Sequence, residues 1–310
     1  IFEGKRFFMN AKKAVRLALA HKTIIPAFNI PYLPMVEPVT QAIADENSVA
    51  MVQVARLEWE KFESESPEAV AKEYFKFQKP GYTLLHLDHV PAIDEDQKEV
   101  DFLPLLQRAL DAGYQSVMVD GSRLPLEENI AVTAKAAALA AKYNAGVEAE
   151  LGAVAGHEGS GIGLSYEELF TSKKGFTKTE EARRFAKESG CDWLSVAVGS
   201  FHGAIAASTK HLKKPEARLD IHHILELAEA TGHIPLVLHG GSGIKQDYIL
   251  RGVQSGIAKI NVATEIRQPY EFALEEKPGD IAYAQQKVYD RTRWVIREFL
   301  HTTNNHDILK

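Results

Sequence analysis

Eight short apolar runs, separated by stretches with helical periodicity, follow one another along the chain. The runs are Ile24–Phe28, Val49–Ala55, Leu84–His89, Ser116–Asp120, Gly146–Leu151, Trp193–Gly199, Pro235–Gly240 and Ala258–Thr264. Each is rich in Val, Ile and Leu and bounded by Gly, Pro or Asn, which is the signature of a strand. Helices are expected at Leu33–Glu46, Pro67–Gln78, Lys98–Ala112, Leu126–Tyr143, Lys178–Ser189, Ala217–Ala230 and Lys245–Ser255. Two more follow the last strand, near Glu265–Leu274 and Ile281–Leu300, and Ala11–Ala20 reads as an extra N-terminal helix. Eight β units with helices between them match the α/β architecture of a (β/α)8 TIM barrel, with a doubly wound open sheet as the competitor. No linker or low-complexity stretch divides the chain, and barrels of about this length form single domains, so residues 1–310 are read as one.

One connection stands apart. From Gly152 to Thr177 the chain carries glycines at 152, 156, 159, 161, 163 and 175 and no clear barrel element. A connection this long in a compact domain suggests a mobile lid after the fifth strand.

With 36 basic against 42 acidic residues the net charge is −6, which gives nucleic acid no electrostatic footing. The single cysteine, Cys191, cannot form an internal disulfide, which favours a reducing compartment. No apolar run approaches the roughly 20 residues that span a bilayer, and the first residues lack a signal-peptide layout. A soluble, cytoplasmic protein without membrane or nucleic-acid partners is expected, assembled as a homodimer or homotetramer.

In a barrel the chemistry lies where strands end. The C-terminal tips read Asn29, Arg56, Asp88–His89, Asp120–Gly121–Ser122, Glu150, Ser200–Phe201–His202–Gly203, His239–Gly240–Gly241–Ser242–Gly243 and Asn261–Val262–Ala263–Thr264. The strands are mostly apolar in the middle and polar at these tips. His89, His202 and His239 end three different strands, and three protein ligands with an open position are the hallmark of a catalytic zinc. His86 is the nearest rival, sharing a strand face with Asp88. For adjacent Asp88 and His89 to face the same way, the strand must end or bend there. Glu150, nearest the fifth tip, reads as a metal or supporting group, and Glu148 as a paired interior charge. The segments containing Gly240, Gly241 and Ser242, and Ala263 and Thr264, sit after strands seven and eight, where barrels often bind phosphate on backbone N–H groups.

Taken in order, these tips resemble the class II, zinc-dependent ketose-bisphosphate aldolases. The resemblance rests on Pro26–Ala27–Phe28–Asn29, Leu87–Asp88–His89, Val119–Asp120–Gly121–Ser122 and Val147–Glu148–Ala149–Glu150–Leu151–Gly152. It continues through Val198–Gly199–Ser200–Phe201–His202–Gly203, Leu238–His239–Gly240–Gly241–Ser242–Gly243 and Asn261–Val262–Ala263–Thr264. It implies zinc, replaceable by cobalt, on His89, His202 and His239, with Asp120 and Glu150 at an alternative metal position. It further implies Asp88 as acid/base at the acceptor carbonyl or C4 hydroxyl, and Glu158 as the group moving the C3 proton of dihydroxyacetone phosphate. Gly203, Gly240, Ser242 and Thr264 would cradle the phosphate, Asn261 would position the enediolate, and a monovalent cation (sodium or potassium) would sit nearby.

The acceptor half departs from the family pattern. Ala55 stands where fructose-bisphosphate members have serine, Ala263 where many have aspartate, and Gly159 where aspartate is usual; Ile205–Ala206 replace a Tyr-Lys or similar pair. The Asn-Val-Ala-Thr form also occurs in the tagatose-bisphosphate-like branch. Asn29 and Arg56 are candidate substrate contacts, Arg56 as a holder of a second anion or as an ordinary partner of Glu58 or Glu60. The expected reaction is reversible cleavage of a ketose 1-phosphate or 1,6-bisphosphate to dihydroxyacetone phosphate and an aldehyde. A Schiff-base aldolase is disfavoured because strand six has no lysine and Lys259 begins strand eight at the far end. Two further rivals share part of the pattern: a metal-dependent isomerase or hydrolase on the same barrel, and a non-catalytic sugar-phosphate-binding subunit.

Overall fold

The computed structural model describes residues 9–152, 166–200, 217–241 and 243–310. Eight parallel strands close into a barrel in sequence order, β1 (Ile25–Asn29), β2 (Ala50–Ala55), β3 (Thr83–Pro91), β4 (Ser116–Asp120), β5 (Gly146–Leu151), β6 (Trp193–Val196), β7 (Leu236–Leu238) and β8 (Ile257–Val262). Closure is made by β8 pairing back onto β1, with Ile25 opposite Lys259 and Phe28 opposite Val262. The open sheet is thereby excluded. Among the described residues no helix is long and apolar enough to cross a membrane.

The helices are α1 (Ala11–Ala20), α2 (Val36–Asp45), α3 (Arg56–Lys61), α4 (Pro67–Phe77), α5 (Phe102–Asp111), α6 (Leu126–Ala141), α7 (Tyr166–Ser172), α8 (Thr179–Glu188), α9 (Ile221–Ala230), α10 (Gln246–Ser255), α11 (Thr264–Glu276) and α12 (Ile281–Trp294). Asn10 caps α1 by accepting from the Lys12 N–H at 2.8 Å. The buried face of α1, Ala11, Ala14, Val15 and Ala18, joins Ile25, Met51, Leu84, Trp193 and Val237 in one apolar cluster. That helix therefore plugs the N-terminal mouth of the barrel. A larger apolar shell lies between the strands and the outer helices. Burial on both faces explains why the strands read as nearly continuous apolar runs.

Several boundaries differ from the sequence expectation for local reasons. Asp94 Oδ1 accepts from the N–H groups of Asp96 and Lys98, holding Lys98 in a turn, so α5 begins only at Phe102. Asp220 caps α9 through the His223 N–H at 3.0 Å, so that helix begins at Ile221 rather than Ala217. Strands β6 and β7 are shorter than expected, and Thr264 opens α11 instead of ending β8. Two helices escaped the periodicity. One is α3, directly after β2. The other is α7, which lies in the 152–177 connection where no clear barrel element was expected. Its Tyr166 hydroxyl accepts from the Arg218 N–H at 2.7 Å and so ties the helix to the segment leading into α9.

Candidate active site

Inward-facing positions climb each strand with a period of two, from apolar residues above α1 to polar residues at the tips. In β3 the sequence is Leu84, His86, Asp88; in β5 it is Gly146, Glu148, Glu150; in β8 it is Lys259, Asn261. Gly146 is needed for space: a Cβ there would stand 2.3 Å from the Trp193 ring. The indole fills that space and its Nε1 donates to Glu148 at 2.6 Å.

The conflict between adjacent Asp88 and His89 is resolved by a bend. Pairing of β3 with β4 slips between Leu87 and Val90, and His89 takes φ 25°. Such a bulge re-aims side chains at the cost of local backbone strain. Both residues consequently reach the same interior.

The result is a buried charge cluster at the C-terminal mouth. His239 is fully buried, with Nε2 2.8 Å from Glu148 and Nδ1 3.0 Å from Glu150. His89 lies 3.4 Å from Asp120 through Nδ1 and 4.0 Å from Glu150 through Nε2, and its ring meets that of His239 edge-on at 4.6 Å. Burial disfavours a charged His89, but Asp88, Asp120 and Glu150 outweigh it and push the ring up to about 10. Burial also opposes ionisation of Asp120, yet the His89 hydrogen bond and charge hold its carboxyl well below the usual range. His239 is raised, since Glu148 and Glu150 overcome burial and the neighbouring His89. So many carboxylates in a buried pocket demand a cation. Asp88, His89 and His239 offer ligand atoms within 4.8 Å of one another, and so do His89, Asp120 and Glu150. The donor set fits a divalent metal.

Below this cluster, Glu148 accepts from Trp193, faces His86 at 3.5 Å and pairs with Lys259 at 2.9 Å. Burial opposes its ionisation, but Lys259, His239 and His86 hold it well below the usual carboxylate range. His86 is pushed down to about 4 by burial and by Lys259, and its Nδ1 is engaged with Ser116 at 2.8 Å. Lys259 also donates to Asn261 Oδ1 at 2.5 Å, which turns the Asn261 amide N–H toward Asp88 Oδ1 at 3.0 Å. Lys259 is therefore misjudged by its place on the strand. It starts at the far end, yet its long side chain carries Nζ up to the site residues. Glu148 is likewise more than a paired charge, because it fixes which nitrogen of His239 faces Glu150.

On the opposite side, Asp88 Oδ2 accepts from Asn29 at 3.0 Å and Gln53 at 3.2 Å. Burial raises Asp88, but the surrounding His89, Lys259, His239 and His86 lower it overall. Glu58 joins here. Its Oε2 accepts from the Ala55 N–H at 2.8 Å and from Asn29 at 3.3 Å. Arg56 stands at the rim on α3 and pairs with Glu60 at 2.9 Å, as the surface-pair reading expects. Because β2 ends at Ala55, strand pleat no longer constrains where Arg56 points.

Gly240 and Gly243 both adopt positive φ, 68° and 91°, which only glycine takes freely. Gly241 lies against β8, where a Cβ would meet Ile260 at 2.7 Å. Ala263 precedes α11 and Thr264 is its first residue, so the loops after β7 and β8 run side by side beside a helix N-terminus. Glu158, His202, Gly203 and Ser242 lie outside the described residues.

Strand-tip reading thus places Asn29, Asp88, His89, Asp120, Glu150, His239 and Asn261 together and leaves Arg56 at the edge. It misses Gln53 and the roles of Glu148 and Lys259, although Glu148 and Lys259 each lie two positions before a residue that was found. Glu58 carries no such signal, because α3 was not anticipated.

Residues 9–306 match the family described as Fructose-bisphosphate aldolase class-II, and the chain belongs to that family of carbon–carbon lyases, whose members depend on a metal. A 6-phospho-5-dehydro-2-deoxy-D-gluconate aldolase from Halalkalibacterium halodurans is 38% identical over 207 residues. That match covers 66% of this chain and spans 60% of the relative's length. The fold is shared with the YdjI aldolase from Escherichia coli K12 at TM-score 0.73 and 24% identity, over 94% of this chain and 97% of that one. A putative fructose-1,6-bisphosphate aldolase from Coccidioides immitis superimposes at TM-score 0.75, also at 24% identity, over 96% and 98% of the two chains.

If Glu148 orients His239, Glu148→Gln should weaken metal retention about 10–100-fold, as loss of a ligand's supporting partner generally does. Zinc competition against a chromogenic chelator measures this, and unchanged affinity would assign Glu148 to fold support alone.

Proposed function

We propose that the protein reversibly cleaves a ketose 1-phosphate or 1,6-bisphosphate to dihydroxyacetone phosphate and an aldehyde through an enediolate. The observation carrying this reading is the convergence of Asp88, His89, His239, Asp120 and Glu150 beside the paired loops after β7 and β8. An isomerase or hydrolase has no particular use for both features together.

His89, His239 and, in the same pattern, His202 would hold the metal, with Asp120 and Glu150 available at a second position. Zinc is the ion this donor set suits best, with cobalt a substitute. When bound, a divalent ion supplies Lewis acidity that stabilises developing negative charge on the donor oxygens. Asp88, kept ionised and held by three amides, takes the proton from the C4 hydroxyl as the carbon–carbon bond breaks. Asn261, fixed by Lys259, hydrogen-bonds the enediolate. Glu158 is assigned the return of a proton to C3. Gly203, Gly240, Gly241, Ser242, Ala263 and Thr264 cradle the phosphate with backbone and hydroxyl donors, with sodium or potassium alongside. Release of dihydroxyacetone phosphate from a panel of ketose 1-phosphates tests the assignment; release from none of them would reject it.

Arg56 is assigned to a second anion at the far end of the substrate. The substrate named for the Halalkalibacterium relative bears a phosphate and is a sugar acid, so a second anion has a precedent. A guanidinium grips phosphate, sulfonate or carboxylate with two parallel bonds. Such bonds are worth roughly 1.5–3 kcal/mol, so Arg56→Ala should lower kcat/KM about 10–100-fold for an anionic acceptor and hardly at all for a neutral one. Equal losses on both, or none, would return Arg56 to its surface pair with Glu60.

A further inference from the structure

We propose that Glu58 reads a hydroxyl of the aldehyde half of the substrate. The inference rests on the aldolase reading above and extends it to acceptor recognition.

Glu58 lies where the family pattern is broken. Ala55 cannot supply a hydroxyl, and the side chain that comes back to this spot is Glu58, one helical turn along α3. The carboxyl is buried, and the whole residue is only 8% exposed. It sits two hydrogen bonds from Asp88, because a single Asn29 nitrogen donates to Asp88 Oδ2 at 3.0 Å and to Glu58 Oε2 at 3.3 Å. Both donors to Glu58, the Ala55 N–H and the Asn29 amide, fall on Oε2. Among the described residues Oε1 has no hydrogen bond and no lysine or arginine forms an ion pair with Glu58.

A buried carboxylate with two N–H donors, one of them shared with Asp88, and no ion-paired cation is poorly compensated. Burial is the leading cause and Asp88 adds to it, so that the group is pushed up to about 8, with Ala55, Asn29 and a more distant Arg267 only partly opposing. At neutral pH the side chain is then chiefly the neutral acid. With Oε2 accepting twice, the proton belongs on Oε1, which becomes an O–H donor on a carboxyl that shares the Asn29 amide with Asp88. We assign that donor to a hydroxyl oxygen beyond the reacting carbonyl, because Asn29 ties this carboxyl to the acid/base Asp88.

The test uses the condensation direction with metal-loaded protein, dihydroxyacetone phosphate and two aldehydes, D-glyceraldehyde and propionaldehyde, which differ in their hydroxyls. The wild type should favour D-glyceraldehyde by about 10-fold or more in kcat/KM, the scale of one buried hydrogen bond left unmade. In Glu58→Ala that ratio should fall to within about twofold of unity, and Glu58→Gln, whose amide still donates, should restore most of it. A wild type without preference, or a Glu58→Ala variant that loses activity on both aldehydes while keeping the ratio, would overturn the proposal. Failure of the underlying reading looks different: the wild type would then exchange no C3 proton of dihydroxyacetone phosphate in deuterium oxide, with or without an aldehyde.

Discussion

Asp88→Asn should lose about 10²–10⁴-fold in kcat while retaining its metal, the range a positioned acid/base group contributes. The asparagine is nearly isosteric, but it cannot take a proton at neutral pH. It also places an N–H2 where Asp88 now accepts from Asn29, Gln53 and Asn261. One of those donors must turn away or go unsatisfied. Elemental analysis of the purified variant separates lost chemistry from lost metal. Near-normal cleavage with a full metal complement would make Asp88 structural. His86 is a poor substitute, being held neutral and engaged by Ser116 deeper in the barrel.

Removal of the metal should abolish cleavage altogether, and zinc or cobalt should restore it. The buried carboxylates at the mouth are compensated by imidazolium protons when no ion is bound, as the raised His89 illustrates. Metal binding must displace those protons, so affinity should rise with pH. A divalent cation would then supply the further positive charge that an enediolate calls for in this pocket. The competing chemistry is a Schiff base on lysine. Lys259 is the lysine whose amine reaches the site among the described residues, and Glu148 and Asn261 hold it. Held on both sides in this way, the amine is not aimed at a substrate carbonyl as a Schiff-base lysine must be. Activity that survives chelation but is lost on borohydride treatment with substrate would reverse this conclusion.

What could be read from the chain alone follows from the periodicity of strands. A period of two links each polar tip to the interior, so Asp88, Glu150, His239 and Asn261 were recognisable once strand ends were located. Closure into a barrel was not readable from strand count; it required the β8–β1 register. Lys259 misled because a position on the backbone does not say where a long side chain ends. The bulge at His89 was required by the adjacent Asp88 but could not be placed, since it depends on the pairing with β4. Helix α3, and with it Glu58, has too few residues for a helical period to show.

On the proposed mechanism the protein generates an enediolate from dihydroxyacetone phosphate. This is tested most directly by NMR of that compound in deuterium oxide, with no aldehyde present. Metal-loaded protein should exchange one of the two C3 hydrogens stereospecifically, and a chelator should stop the exchange. Absence of exchange in metal-loaded protein that demonstrably binds dihydroxyacetone phosphate would mean that no enediolate forms and that the aldolase assignment is wrong.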